Sequence, residues 1–163
     1  MHSLPTNWVH TPFEELVHIG NGQVSPLVEP YSSYPHIGPE NVESGSGKLS
    51  RLKTAKEHGL ISGKYYFDSE AIVYSKIRPY LNKVCLPWFE GICSADMYPI
   101  WPETSVIDKN FLFHYMLSEP FVQQAVAVSM RSGFPKINRE DLGQLIVPVP
   151  PLPEQRQIAA ILG

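Results

Sequence analysis

Ala71-Ile72-Val73-Tyr74, Lys83-Val84-Cys85-Leu86, Gly91-Ile92-Cys93 and Met97-Tyr98-Pro99-Ile100 are short apolar runs that follow one another closely and are rich in β-branched and aromatic residues. Pro79, Pro87 and Gly91 punctuate them. Runs of this length and composition, bounded by turn residues, predict the strands of a mixed or antiparallel sheet. Downstream the period changes. Asp108 stands where it can cap a helix carrying Phe111, Leu112, Tyr115 and Met116, and Glu119-Pro120 opens a second with Phe121, Val122, Ala125 and Val128 along one face. Strands at 71–74 and 97–100 followed by helices from about Asp108 to Ser129 predict a mixed α/β (α+β) domain with a strand-rich core.

The flanks complete that outline. Ser132-Gly133 breaks the second helix. Asn138, with Asp141 three residues on, can cap one short turn before the strand-like run Leu145-Ile146-Val147-Pro148-Val149. Pro150, Pro151 and Pro153 each fix φ and remove a donor, so they predict a rigid exit from the globular part. Residues 154–162 then read as the start of a helix with Ile158, Ile161 and Leu162 on one side. At about 1.5 Å per residue it is roughly 13 Å long and frays alone, so it is expected to leave the body and pack on a partner. Toward the N-terminus, Thr11 and Pro12 suggest a short helix over Pro12 to His18 that Gly20-Asn21-Gly22 ends. Tyr34-Pro35-His36-Ile37 reads as extended, and Glu43 to Gly47 as a flexible loop.

The chain has 163 residues, 43% hydrophobic and 18% charged, enough for one domain with a continuous core. Its 16 prolines and 11 glycines are spread among apolar runs and form no low-complexity tract. No run is long enough for a membrane helix, and Met1 to His10 lacks the pattern of a signal peptide, so a cytoplasmic location is expected. The net charge of −3 conceals a segregation. Residues 1–47 hold five acids and no Lys or Arg; residues 48–83 hold eight bases against three acids; after Lys83 five bases face eight acids. A basic middle between acidic flanks fits a phosphate-facing surface and, equally, an ordinary solvated face.

Catalytic and metal motifs are incomplete. Gly45-Ser46-Gly47-Lys48 resembles the end of a phosphate-binding loop, but Leu49 replaces its Ser/Thr and Val42 its first Gly. Ile77-Arg78-Pro79-Tyr80 lacks the polar and proline positions of an amino-methyltransferase loop. His2, His10, His18, His36, His58 and His114 have no ligand spacing, and His114 within an apolar helix reads as a core residue. Cys85 and Cys93 read as buried thiols. Asp68 and Glu70 could start a nuclease carboxylate pair, yet a solvated turn suits them better. No catalytic residue, metal or cofactor is therefore expected.

Five blocks carry a family resemblance: His36-Ile37-Gly38-Pro39-Glu40-Asn41-Val42; the segment from Ser75 to Val84; the segment from Cys93 to Ile100; Lys136-Ile137-Asn138-Arg139-Glu140-Asp141-Leu142; and the exit Val147-Pro148-Val149-Pro150-Pro151-Leu152-Pro153-Glu154-Gln155. Together they resemble a target-recognition domain of the specificity subunit of type I restriction-modification enzymes. The exit, Pro-Pro-Leu-x-Glu-Gln before an apolar helix, is the most specific.

The resemblance implies a non-catalytic module that binds double-stranded DNA and reads one half of a split target. Separate modification subunits methylate adenine with S-adenosylmethionine, and a restriction subunit translocates and cleaves with ATP. Such subunits usually hold two recognition domains joined by long helices. The expected division here is a recognition domain over 1–150 and the start of a spacer helix over 151–163, with a second recognition domain in the same or another chain.

Under this reading Arg78, Arg131 and Arg139 are candidates for base reading or clamping. Lys48, Arg51, Lys53, Lys76, Lys83 and Lys136 are expected mainly at phosphates, and Phe134 as a wedge, although a core position suits it equally. Glu154, Gln155, Ile158, Ile161 and Leu162 are expected at the partner. Two alternatives stay open. One is a half-subunit that binds the methyltransferase or a second copy instead of reading DNA; the other, weaker, is a small metal-dependent nuclease.

Overall fold

Ile72, Val73 and Tyr74 run without a polar break along Ile72–Ser75 (β6) because both faces of this strand are buried. Side chains alternate across a strand, so Ile72 and Tyr74 enter one hydrophobic cluster while Val73 enters another with Cys85, Cys93 and Met97. The computed structural model describes residues 7–163. Readings that rest on residues 1–6, His2 among them, lie outside the described residues.

Strand β6 pairs antiparallel with Met97–Pro102 (β9) and with Val84–Cys85 (β7), and β9 pairs antiparallel with Val17–Ile19 (β2). The predicted strands do not all share this sheet. Gly91–Cys93 (β8) belongs to a second four-stranded sheet, parallel to Pro35–Ile37 (β3) and antiparallel to Tyr65–Phe67 (β5), with Lys53–Thr54 (β4) along the outer edge of β3. Ile37, Phe67 and Cys93 of this second sheet meet Val73, Cys85 and Met97 of the first, so one core cluster lies between the sheets. Burial pushes the Cys85 thiol up to about 12 and raises Cys93 as well, as expected of inert core thiols.

Helices cover the other face of the first sheet. Asp108 Oδ2 accepts from Phe111 N at 3.0 Å and starts Lys109–Leu117 (α2); Ser118 alone separates it from Glu119–Ser132 (α3). Phe121 of α3 meets Tyr74 edge-on at 6.2 Å and Phe13 at 5.7 Å. Burying aromatic side chains of this size is worth about 1.5–3 kcal/mol each, so the Phe13–Tyr74–Phe121 contact anchors helices to sheet. Asn138 Oδ1 accepts from Asp141 N at 2.7 Å and caps Arg139–Gln144 (α4) as the spacing predicts. The strand that follows, Ile146–Val149 (β10), pairs with Val9–Pro12 (β1) and joins the chain's two ends.

Several expectations are corrected. Pro12 to His18 is not a helix: a single 3-10 turn, Phe13–Glu15, links β1 to β2, because both flanks find strand partners. Residues 43–47 form a defined turn, held by Glu43 N donating to Lys48 O at 2.9 Å and by Gly47, whose φ of 75° and close approach to Val84 O suit only glycine. The one-turn helix Ala55–His58 (α1) follows β4 directly, with Thr54 as its N-cap.

The third correction concerns the exit. Leu152–Leu162 (α5) is helical, but it is tied to the body from its first turn. Gln155 is fully buried: its Oε1 accepts from Asp108 N at 2.7 Å, and its Nε2 donates to Val106 O and Pro150 O at 3.0 and 2.8 Å. Ala159 packs in the same core, and Trp8 Nε1 donates to Glu154 at 3.0 Å. His114, expected in the core, is half-exposed beside α5, with its ring edge-on to Phe113 at 5.4 Å. No helix among the described residues is long and apolar enough to cross a membrane.

Candidate nucleic-acid interface

Two segments that are distant in sequence, residues 76–83 between β6 and β7 and residues 131–137 at and after the last turn of α3, are knitted together by backbone bonds. Arg78 N donates to Pro135 O at 2.6 Å, Ile137 N donates to Lys76 O at 2.9 Å, and Ile77 bridges Lys136. Ser75 N donates to Lys83 O at 2.9 Å and closes the base of the first loop. The turn Pro79–Leu81 projects from that loop between two left-handed residues, Arg78 at φ 46° and Asn82 at φ 48°.

Asn adopts this region at little cost, and Asn82 is fixed there by Nδ2 donating to Leu117 O at 3.3 Å. Arg78 is the costlier case. A left-handed L-residue brings Cβ against its carbonyl, and a following proline restricts it further. The conformation turns the Arg78 side chain into solvent, where it is exposed. At the second loop, Gly133 at φ 77° ends α3, and Phe134 follows with 70% of its surface exposed.

Arg78, Phe134 and Lys136 are thus brought to one surface, with Lys76 at its inner edge, and Arg131 is exposed on the last turn of α3. Lys76 Nζ lies 5.4 Å from the centre of the Tyr98 ring. Two hollows open there. One, of about 490 Å³, is lined by Pro79, Tyr80, Met130, Phe134 and Pro135; the other, of about 210 Å³, is lined by Lys76, Tyr98, Phe134, Lys136 and Asn138. No acidic side chain lines either hollow among the described residues. Tyr80 and Met130, 61% and 75% exposed, were not expected from sequence; their neighbours Arg78 and Arg131 were the nearest signal.

The other basic residues are placed differently. Arg139 is half-buried and points inward: its guanidinium carbon sits 4.8 Å from the Tyr98 ring and 5.7 Å from Tyr65, and Nη1 donates to Ile19 O at 3.2 Å. That geometry supports Tyr98 rather than reaching a base. Burial raises the Tyr98 phenol pKa, and the Arg139 charge opposes that rise. Lys83 Nζ donates to Pro39 O at 2.8 Å and braces the first loop against the residues after β3. Arg51, also left-handed at φ 58°, donates to Glu40 O at 3.1 Å, and Lys53 lies on edge strand β4; both sit on the second sheet's side of the fold. Lys48 is exposed in the 43–49 turn, which Gly45 N ties to Asn82 O at 3.2 Å.

Of the expected partner residues, Gln155 is inside the chain and Ile158 packs on the core, while Ile161 and Leu162 are 84% and 59% exposed. Asp68 Oδ1 accepts from Trp101 Nε1 at 2.9 Å and from Glu70 N at 3.0 Å, which is a turn-holding role.

The model of the type I restriction modification DNA specificity domain family matches residues 5–163. The chain belongs to that family. It is 45% identical over 156 residues to the type I restriction enzyme EcoDI specificity subunit of Escherichia coli, an alignment covering 96% of this chain and 34% of that protein. The chain therefore spans about a third of that relative's length. Among solved structures it resembles the HsdS subunit from Thermoanaerobacter tengcongensis, with a TM-score of 0.83, 26% identity and coverage of 99% of this chain and 42% of that one. A chain from a structure of the type I R-M system gives the same TM-score at 24% identity, covering 99% and 43%, and supports the fold. The mixed α/β architecture expected from sequence is that of these specificity subunits.

Proposed function

We propose that this domain is the sequence-reading module of a type I restriction-modification complex, and that the paired loops 76–83 and 131–137 are its contact with double-stranded DNA. The observation that carries this is the Arg78 N to Pro135 O bond, which fixes two loops from separate parts of the chain into one basic surface free of acidic lining. Such a surface attracts phosphates and releases their counterions, an attraction without sequence content. Selectivity then falls to exposed side chains able to reach base edges. Arg78 and Arg131, with paired donors suited to guanine, are the readers, while Lys136, Lys76 and Lys48 hold the backbone.

Residues 1–150 form the recognition domain and 151–163 begin the spacer helix in this reading. The methylation and cleavage chemistry belongs to the modification and restriction subunits, and the other half-site to a second recognition domain. Exposed Ile161 and Leu162 on α5 favour a helical partner there. The test is binding of the chain to a labelled duplex at increasing salt, followed by methylation mapping with the assembled methyltransferase. Affinity should fall steeply with salt, and Arg78→Ala or Arg131→Ala should change the methylated sequence. Salt-independent binding, or an unchanged methylation map in both variants, overturns the assignment.

A further inference from the structure

Phe134 forms the wall between the two hollows, lining both. On its apolar side stand Tyr80 and Met130, so three large side chains, 61–75% exposed, share one rim. On its other side are Lys76, Lys136 and Asn138. Side chains left this far in water add little to the fold, so their energy is realised on contact with something apolar. Phe134 also sits next to a fixed backbone bond. It lies between left-handed Gly133 and Pro135, whose carbonyl accepts from Arg78 N at 2.6 Å.

We propose that Phe134 is a wedge that enters between adjacent base pairs of the bound duplex, with Tyr80 and Met130 covering the face of the unstacked base and Lys76 and Lys136 taking the neighbouring phosphate. This rests on the DNA-reading function proposed above and adds that the domain senses how easily a base step opens. The rim's charge favours DNA as the occupant. Lys76 and Lys136 line the hollow on the other side of Phe134 and no acidic side chain lines either hollow, a charge balance that fits phosphates, whereas protein interfaces are depleted of lysine. Apolar wedges such as Phe and Met open base steps at the expense of stacking, an expense that falls when the step is already weakened.

The experiment compares the chain's affinity for a fully paired duplex and for the same duplex carrying one mismatched pair, at two salt concentrations. The mismatched duplex should bind roughly tenfold tighter. Phe134→Ala should bring the two affinities within about twofold of each other, and Phe134→Leu, still apolar, should keep most of the preference. Because the side chain is exposed, thermal unfolding of both variants should match the parent within measurement error. Equal affinities for the two duplexes, with the salt dependence intact, overturn the wedge and leave the DNA reading standing. No salt-dependent binding to either duplex overturns the DNA reading itself. If Phe134→Ala instead abolishes self-association in sedimentation and leaves the mismatch preference in place, the face is a docking site for a second copy and the wedge is wrong.

Discussion

Replacing Arg78 by Gly and, separately, by Ala should reverse the usual order of stability between those two residues. At an ordinary position Ala is favoured over Gly by about 0.4–1 kcal/mol, because Gly leaves more freedom in the unfolded chain. Arg78 is not ordinary, since its φ of 46° and ψ of 64° lie in the left-handed region directly before Pro79. A Cβ in that conformation costs about 1–2 kcal/mol, and Ala keeps the Cβ where Gly removes it. The Arg78 N to Pro135 O bond survives in both variants, so it cancels. The net expectation favours Gly by about 0.5–1 kcal/mol. With a urea m-value of about 2 kcal/mol/M, its unfolding midpoint should lie about 0.3–0.5 M higher than that of the Ala variant. A midpoint for Ala at or above that for Gly refutes the claim that strain is stored here. Both variants lose the guanidinium, so both should bind duplex DNA more weakly.

Three further outcomes are expected. His36 is buried with neither imidazole nitrogen hydrogen-bonded, and burial, aided by the Lys64 charge, lowers its pKa from 6.5 to about 4. The unfolded chain therefore binds a proton that the folded chain refuses, and stability should fall as pH drops from about 6.5 to 4, by about 1–3 kcal/mol. His36→Phe should remove that dependence in urea titrations across the window, and an unchanged pH profile refutes it. Gln155→Ala should cost about 2–4 kcal/mol in thermal or urea unfolding, since it strands Asp108 N, Val106 O and Pro150 O; a cost below about 0.5 kcal/mol means that α5 is not fixed to the body as described. Lys136→Ala should weaken binding to all duplexes alike and flatten the salt slope by about 0.9, and an effect confined to one sequence moves Lys136 among the reading residues.

Period and capping chemistry made much of the fold legible. The apolar runs at 71–74 and 97–100 correspond to β6 and β9, and Asp108, Glu119-Pro120, Gly133 and Asn138 mark helix ends where the structure has them. The partition of strands between two sheets was not legible, because Val73, Cys85, Cys93 and Met97 are apolar whichever sheet each strand joins. The 3-10 turn at Phe13–Glu15 escaped for a related reason: β1 gains its strand character from β10, at the far end of the chain, and no local pattern announces a long-range partner. Gln155 misled differently. A polar residue in an apolar helix reads as a surface position until the three backbone groups that it satisfies are seen together.

The candidate interface follows the same logic and explains what could be read of it. Arg78 and the 131–136 loop each stood out by composition, but their juxtaposition depends on Arg78 N with Pro135 O and Ile137 N with Lys76 O, and backbone atoms carry no residue identity. What sequence does encode is the constraint around those bonds: Pro79 after Arg78, Gly133 two residues before Pro135, and Asn82 at the far left-handed position. A frame held by main-chain bonds leaves its side chains free. Arg78, Tyr80, Met130, Phe134 and Lys136 are exposed around these loops and can change in size, charge or hydrogen-bonding pattern without breaking a bond that positions the loops. A fixed frame with variable tips is the arrangement in which a recognition surface can change what it reads while its fold and its partners stay the same.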